Sequence, residues 1–243
     1  MRGERNHHRG SMAIDDSRMT GFYITGTDTG IGKTVASTAL LHALRSQGLR
    51  AVGMKPVASG CERSEAGWRN EDALALLAAS DPQPAYADLN PYALPLPLAP
   101  EIAAREAGVE IEAEALASAF QKLRAMADIV VVEGVGGWSA PLSATLDQAD
   151  LVRLLRLPVV MVVGMRLGCL NHARLTARAI AADGCELVGW IANHVDPDMQ
   201  RQDENFEMLA QRLRAPCWGR LPYSPGQPAD RLSRALNPGS LES

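Results

Sequence analysis

The chain has 243 residues, of which 47% are hydrophobic, and it carries a formal net charge of −4. The apolar share is ample for a continuous core, whereas the absence of a basic excess argues against nucleic-acid binding. No apolar run is long enough to span a membrane and no signal-peptide pattern is visible, so we expect a cytoplasmic protein that binds neither nucleic acid nor a membrane.

Short apolar runs alternate with amphipathic segments from residue 21 onward, which is typical of a parallel sheet with crossover helices. The apolar runs predict strands over residues 22–25, 51–54, 129–132, 159–163 and 187–192, and a further strand over 217–221. The periodicity predicts helices over residues 33–47, 71–79, 112–127, 147–155, 170–182 and 201–214, with Gly48 and Gly184 as stops. Residues 81–100 hold six prolines and are expected to be a loop or an extended excursion. Residues 1–20 are polar and aperiodic, which predicts a disordered, tag-like segment.

A glycine-rich segment follows the first predicted strand and opens the first predicted helix, with the sequence GTDTGIGKT at residues 26–34. In that setting, backbone N–H groups can converge on phosphate oxygens, Lys33 can reach the β- and γ-phosphates, and the Thr34 hydroxyl can bind Mg²⁺. The alternative is a glycine-rich strand–helix turn without a ligand. The sequence therefore predicts an α/β, P-loop NTPase-like three-layer fold with a mostly parallel central sheet covered by helices on both faces. We expect residues 21–243 to form a single ATP-binding catalytic domain.

Lysine is scarce in this chain, which has 21 arginines and only three lysines. One of the three, Lys55, opens the segment KPVASG at the end of the second predicted strand. Strand ends of a parallel sheet can share one crevice, so Lys55 could hold a transferred phosphoryl group or a carboxylate-like group there. The alternative is a strand-end lysine paired with a surface acid.

Two acidic residues are candidate Mg²⁺ ligands. Glu133 ends an apolar strand in DIVVVEGVGGW at residues 128–138, as in a Walker-B element, and the glycines after it allow close backbone approach to a ligand. Asp72 stands at a predicted helix start in NEDALAL. The alternatives are a solvated strand-end glutamate and an acid that only stabilises the helix N-terminus.

Two later segments are candidate ligand contacts. In GMRLGCLNH at residues 164–172, the backbone N–H groups of Cys169, Leu170 and Asn171 lie at a predicted helix start, where a carboxylate could bind. In IANHV at residues 191–195, Asn193 ends a predicted strand and could read a base through its amide. The alternative for the helix start is an ordinary strand–helix connection with a structural cysteine, and Asn193 by itself is a weak signal.

Taken in order, six motifs resemble the dethiobiotin synthetase family over residues 21–223, namely GTDTGIGKT, KPVASG, NEDALAL, VVEGVGGW, GMRLGCLNHARLT and IANHV. The resemblance implies an ATP- and Mg²⁺-dependent ligase of biotin biosynthesis. It implies that 7,8-diaminononanoate and CO₂ are closed to dethiobiotin with release of ADP and phosphate, through a carbamate and a carbamic–phosphoric mixed anhydride. It also implies a homodimer.

The resemblance implies a role for each matching residue. Lys55 and Lys33 would be catalytic. Mg²⁺ would be held by Thr34, Asp72 and Glu133. The nucleotide would contact Gly30, Ile31, Gly32, Lys33, Thr34, Val35, Asp72, Glu133, Gly134, Gly136, Asn193, His194, Pro222 and Tyr223. The substrate would contact Thr29, Ser59, Gly136, Cys169, Leu170 and Asn171, with the last three supplied by the partner subunit.

Other nucleotide-binding proteins are the alternatives to this interpretation. Amidating cobyrinate synthases share the predicted fold, but they are larger and carry a glutaminase domain for which this chain has no room. Partner-driven ATPases that position chromosomes or septa have a lysine where this chain has Asp28. A regulator that binds MgATP without turnover would show no phosphate release that depends on the diamine.

Overall fold

The computed structural model describes residues 19–238. Except for its last two residues, the segment predicted to be tag-like lies outside the described residues. In chain order the elements are β1 (Gly21–Gly26), α1 (Lys33–Ser46), β2 (Ala51–Met54), β3 (Val57–Ser59), β4 (Glu62–Ser64), β5 (Gly67–Arg69), α2 (Glu71–Ala79), α3 (Tyr86–Leu89), β6 (Tyr92–Leu94), α4 (Pro100–Glu106), α5 (Ala113–Met126), β7 (Ile129–Glu133), β8 (Pro141–Ser143), β9 (Leu146–Asp147), α6 (Gln148–Leu155), β10 (Val159–Met165), α7 (Cys169–Ala182), β11 (Leu187–His194), α8 (Gln202–Arg212), β12 (Cys217–Leu221) and α9 (Ala229–Leu232).

The central sheet has six strands in the order β12-β11-β10-β1-β7-β2, and every neighbouring pair is parallel. Side chains alternate between its two faces. Phe22 packs with Leu40 of α1 on one face, where α2 and α9 also lie. Tyr23 packs with Phe120 of α5 on the other face, where α6 lies as well and where α7 and α8 cover β10 and β11. Both faces are therefore covered, which explains the unbroken apolar strands and confirms the predicted three-layer fold.

The predicted elements of the central sheet and its long helices are confirmed to within two residues at each end. The helix stops are also confirmed, because Gly48 and Gly184 follow α1 and α7 with φ angles of 86° and 72°, which glycine adopts without strain. Long periodic segments carry this signal because one face of each must be buried against the sheet.

The prediction for residues 81–100 is wrong in part, because this stretch contains α3, β6 and the first residue of α4. Strand β6 pairs in parallel with β3, with Val57 opposite Tyr92. Pro100 is the first residue of α4, a position where its missing N–H costs no hydrogen bond. Helix α9 and the two hairpins β4–β5 and β8–β9 were also not predicted from the sequence. Such short elements have no readable period, and tertiary pairing decides them.

The carboxyl edge of the sheet brings the candidate motifs together. Strand β1 lies between β7 and β10, and the glycine-rich loop leaves its carboxyl end. Lys55 directly follows β2, and Glu133 is the last residue of β7. The chain crosses from one side of β1 to the other between β7 and β10, and ligands of such sheets bind at this kind of crossing point. No helix within residues 19–238 is long and apolar enough to cross a membrane.

Candidate active site

A cavity of about 960 Å³ opens at this carboxyl edge. Its walls come from the glycine-rich loop, the segments after β2 and β7, the start of α2 and residues 97–100. The residues predicted from the sequence that line it are Thr29, Gly30, Gly32, Lys33, Thr34, Val35, Lys55, Ser59, Asp72, Glu133 and Gly136. Motifs that are far apart in the sequence therefore form a single site.

The glycine-rich loop is held in a conformation that few residues other than glycine adopt. Gly30 and Gly32 have φ angles of 71° and 76°. A Cβ atom added to Gly32 would lie 2.1 Å from Nδ2 of Asn193, so the position is closed to a side chain on two grounds. Asn193 is buried, and its Nδ2 donates a hydrogen bond of 2.8 Å to the carbonyl oxygen of Ile31. Asn193 thus supports the loop from behind.

Lys33 lies at the first position of α1 and faces the cavity. Its ammonium donates to the carbonyl oxygen of Asp28 at 3.0 Å, inside the same loop. Burial, and then the neighbouring charge of Lys55, lower the pKa of Lys33 to about 8. An anion bound in the loop would favour the charged form of this lysine.

Lys55 is buried and joined to two carboxylates. Its Nζ donates to Oε1 of Glu133 at 2.7 Å and to Oδ2 of Asp72 at 3.0 Å, with a longer contact of 3.4 Å to the carbonyl oxygen of Gly134. Burial alone would lower the pKa of Lys55, but the two carboxylates outweigh it and hold that pKa above its usual value. For Asp72, burial is outweighed by the charge of Lys55, so its pKa lies below the usual value. Lys55 is therefore a charged group, and its main partner Glu133 is fully buried rather than a surface acid.

The candidate metal ligands form one cluster of oxygen atoms. The Thr34 hydroxyl donates to Oε1 of Glu133 at 2.8 Å. Oε2 of Glu133 is buried and has no hydrogen-bond partner among the described residues, which leaves a lone carboxylate oxygen for a ligand. The Asp72 side chain is 37% exposed and opens to the cavity. Two carboxylates and a hydroxyl fit Mg²⁺, which keeps several water ligands and shares substrate phosphates.

The described part of the chain offers no larger set of candidate metal ligands. Within residues 19–238, no group of three or more His, Cys, Asp and Glu side chains could hold a metal ion. A closed metal site built from protein side chains alone is therefore not found in that range. A site completed by phosphate oxygens and water is the kind that the cavity can support.

Several predicted residues lie outside the cavity lining. Ile31 packs in the core behind the loop, and Gly134 contributes only its carbonyl oxygen to Lys55. His194 is buried at the end of β11, and Tyr223 is half exposed after β12, next to Pro222.

The helix start that was predicted to bind a carboxylate also lies away from this cavity. Cys169 is buried as the first residue of α7, and its N–H is already donated to the carbonyl oxygen of Arg166 at 3.0 Å. Leu170 and Asn171 follow it in the first helical turn, where N–H groups have no partner within the helix. None of these three residues is part of the cavity lining.

Solved structures share the fold. The chain matches MinD in the MinC:MinD cell division complex of Aquifex aeolicus with a TM-score of 0.53 at 14% identity, over 89% of this chain and 86% of that one. It matches chloroplast FtsY of Physcomitrella patens with a TM-score of 0.52 at 18% identity, over 93% of this chain and 64% of that one. At these identities the likeness supports a P-loop NTPase-like fold and nothing about the reaction.

Sequence relatives are far closer. A family model described as an AAA domain matches residues 20–229. The chain is 70% identical over 215 residues to the ATP-dependent dethiobiotin synthetase BioD of Xanthomonas oryzae, which covers 88% of this chain and 96% of that protein. It is 64% identical over 221 residues to the enzyme of the same name from Xylella fastidiosa, over 90% of this chain and 98% of that protein. The chain belongs to the dethiobiotin synthetase family.

Part of the cavity wall comes from residues outside the sequence motifs. Asn70 lines the cavity and is the N-cap of α2, where its side chain accepts hydrogen bonds from the N–H groups of Asp72 and Ala73 at 3.0 and 3.3 Å. An Asn just before an apolar-periodic helix is a readable signal for that role. Pro97 and Leu98 also line the cavity, but a proline-rich stretch gives no signal for it.

Proposed function

We propose that residues 21–243 form one catalytic domain and that its cavity carries out the reaction of dethiobiotin synthetases. The reaction is the ATP- and Mg²⁺-dependent closure of 7,8-diaminononanoate and CO₂ to dethiobiotin. The observation that carries this proposal is the meeting of Lys33, Lys55, Asp72 and Glu133 in one cavity beside a phosphate-binding loop.

The reaction forms three bonds in sequence. One amine of the diamine bonds to the carbon of CO₂ and loses a proton, which gives a carbamate. A carbamate oxygen then bonds to the γ-phosphorus of ATP as the bond to ADP breaks. The second amine bonds to the same carbon, loses a proton and displaces phosphate, which closes the ring.

The central difficulty of this sequence is electrostatic, because the carbamate and the γ-phosphate are both anions. Their approach costs Coulomb repulsion that fixed positive charges can offset. Lys33 stands at the start of α1, Lys55 directly follows β2, and both line the cavity. Both ammonium groups are held in place by hydrogen bonds before any ligand arrives, so little reorganisation is needed during the reaction.

Thr34, Asp72 and Glu133 would hold Mg²⁺. When bound, Mg²⁺ would neutralise charge on the phosphate oxygens. The same two carboxylates now accept the hydrogen bonds of Lys55. If these carboxylates bind a metal ion, their hydrogen bonds with the Lys55 ammonium weaken. The ammonium can then donate hydrogen bonds to an anion in the cavity.

The test is phosphate release with MgATP and bicarbonate, measured with and without 7,8-diaminononanoate, with the product identified by mass. We expect release that depends on the diamine and a product with the mass of dethiobiotin. Binding of ATP without diamine-dependent release would overturn the proposed reaction and leave a nucleotide-binding protein.

We also propose that two copies associate through the start of α7. The residues predicted to bind the substrate carboxylate do not line the cavity of their own chain, and the family resemblance implies that a second copy supplies them. Two apolar side chains mark the surface around them, since Leu167 is 93% exposed and Leu175 is 53% exposed. Burial of such side chains is a driving force for association.

Subunit complementation tests this arrangement. Lys55→Ala inactivates the cavity, and Asn171→Asp places a repelling carboxylate at the start of α7. If each site uses the cavity of one copy and the α7 start of the other, mixing the two weakly active variants restores activity in the mixed dimer. A mixture no more active than its parts, or a monomer in sedimentation, would contradict the proposal.

A further inference from the structure

Gln148 is the first residue of α6, and it is buried beneath the glycine-rich segment that follows β7. The start of α6 is fixed independently, because Asp147 and Asp150 form a capping box around it. A buried amide must satisfy both its oxygen and its nitrogen, so its partners show what it holds in place.

The amide of Gln148 is shared between the core and the segment of residues 134–140, which we name the wall loop. Its Oε1 accepts from the Tyr23 hydroxyl at 2.6 Å and from the N–H of Val135 at 3.2 Å. Its Nε2 donates to the carbonyl oxygens of Gly137 at 2.6 Å and Val135 at 3.1 Å, with a further contact of 3.2 Å to Ala140. The wall loop has no regular secondary structure, and the hydrogen bonds of this one side chain hold its backbone in place.

The wall loop forms one side of the reaction cavity. Val135, Gly136, Gly137 and Ala140 line it. The opposite side of the loop packs closely, since a Cβ atom on Gly134 would lie 2.4 Å from Oε1 of Gln148. The wall loop also approaches the glycine-rich loop of residues 26–34, because a Cβ atom on Gly136 would lie 3.6 Å from the Thr29 hydroxyl oxygen.

We propose that Gln148 is a positioning residue that acts by fixing the wall loop, whose Gly136 lines the cavity and is assigned to the substrate by the family resemblance. This inference rests on the proposed function. Gln148 does not line the cavity, so its effect on the reaction must pass through the backbone of the loop. A loop without this support would have to become ordered when the substrate binds, and that cost would weaken substrate binding.

The test compares Gln148→Leu, which removes every hydrogen bond of the amide, with Tyr23→Phe, which removes only the hydroxyl donor to Oε1. The readouts are KM for the diamine, KM for ATP, and hydrogen exchange of the amides in residues 134–140. For Gln148→Leu we expect KM for the diamine to rise by about tenfold or more and exchange in the wall loop to become faster. The change in KM for ATP should be smaller, because Gly134 and Gly136 are the two expected ATP contacts on that loop. For Tyr23→Phe we expect the same pattern at a few-fold size.

The control is Leu123→Ala, which opens a gap in the same core layer on α5 and does not touch the cavity. It is expected to lower Tm while both KM values stay as in the wild type. The proposal is overturned if Gln148→Leu keeps the wild-type KM for the diamine, or if Leu123→Ala raises it equally at a matched loss of Tm. If Gln148→Leu does not fold, unchanged KM and exchange in Tyr23→Phe overturn it.

The two proposals fail in different ways. If the wild-type protein shows no diamine-dependent turnover, the proposed reaction is wrong, whereas hydrogen exchange in the wall loop still decides whether Gln148 positions it.

Discussion

The two halves of the central sheet end in different chemistry at the same carboxyl edge. Strands β2 and β7 lead to Lys55 and Glu133, a buried pair of opposite charges that faces the cavity. Strand β11 ends in Asn193 and His194, and the Asn193 side chain donates a hydrogen bond that supports the glycine-rich loop. The charged pair that we propose for catalysis therefore follows one half of the sheet, whereas Asn193 of the other half supports the glycine-rich loop through a hydrogen bond.

The largest expected effect comes from removing the charge of the first half. Lys55→Ala should lower kcat by about a thousandfold, because a preorganised charge facing a developing anion contributes on that order. ATP binding should persist, since the phosphate loop and Lys33 remain. Steady-state phosphate release and calorimetric titration with ATP measure the two quantities.

Lys122→Ala is the matched control for that experiment, because Lys122 lies on the exposed side of α5 and pairs with Asp88. We expect wild-type turnover in this control. Wild-type turnover in Lys55→Ala would show that the reaction does not need the charge of Lys55.

The next largest effect is expected for Glu133→Gln, which should weaken Mg²⁺ binding. The change removes one carboxylate charge but keeps the shape, so the Mg²⁺ concentration at half-maximal activity should rise by about tenfold or more. Glu114→Gln, on the exposed surface of α5, serves as the control. An unchanged Mg²⁺ titration in Glu133→Gln would show that Glu133 is not a metal ligand.

Asn193→Ala tests the supporting half. Loss of its buried hydrogen bond to the Ile31 carbonyl should weaken binding of ATP and of GTP by the same factor, about tenfold, because the bond holds the loop and not the base. Competition binding with both nucleotides measures this. A change in the preference between ATP and GTP would instead support the base contact predicted from the sequence.

The smallest expected effect concerns Asp28 of the phosphate loop, which forms an ion pair with Arg166 after β10. Both side chains are partly exposed, so the pair is weak, and Arg166→Gln should raise KM for ATP by no more than about fivefold. The physical reason is the uncompensated charge of Asp28 near bound phosphates. KM values at low and high salt test it, with a smaller effect expected at high salt.

The double variant Asp28→Asn with Arg166→Gln is the control for this charge effect. It removes both charges and should restore KM for ATP toward the wild-type value. If the double variant is as impaired as Arg166→Gln, the contact acts through loop structure and not through charge.

Much of the site could be read from motifs because each chemical role needs a particular residue type next to a strand end. Lys33, Lys55 and Glu133 were candidates for that reason, and the cavity brings them together. Gln148 could not be found in this way, because a glutamine at a helix start has no chemical signature. Its role depends on the carbonyl groups of a loop that the sequence leaves unspecified.

The sequence by itself determined the central strands and long helices along the chain, the glycine-rich loop and the candidate charged groups, because periodic burial and glycine spacing are local properties of a chain. Tertiary structure alone decided that Asp72 and Glu133 share one lysine, that Asn193 supports the loop, and that the end of the proline-rich stretch lines the cavity. Those facts arise from contacts between residues far apart in the chain, and such contacts exist only once the sheet has placed its strands side by side.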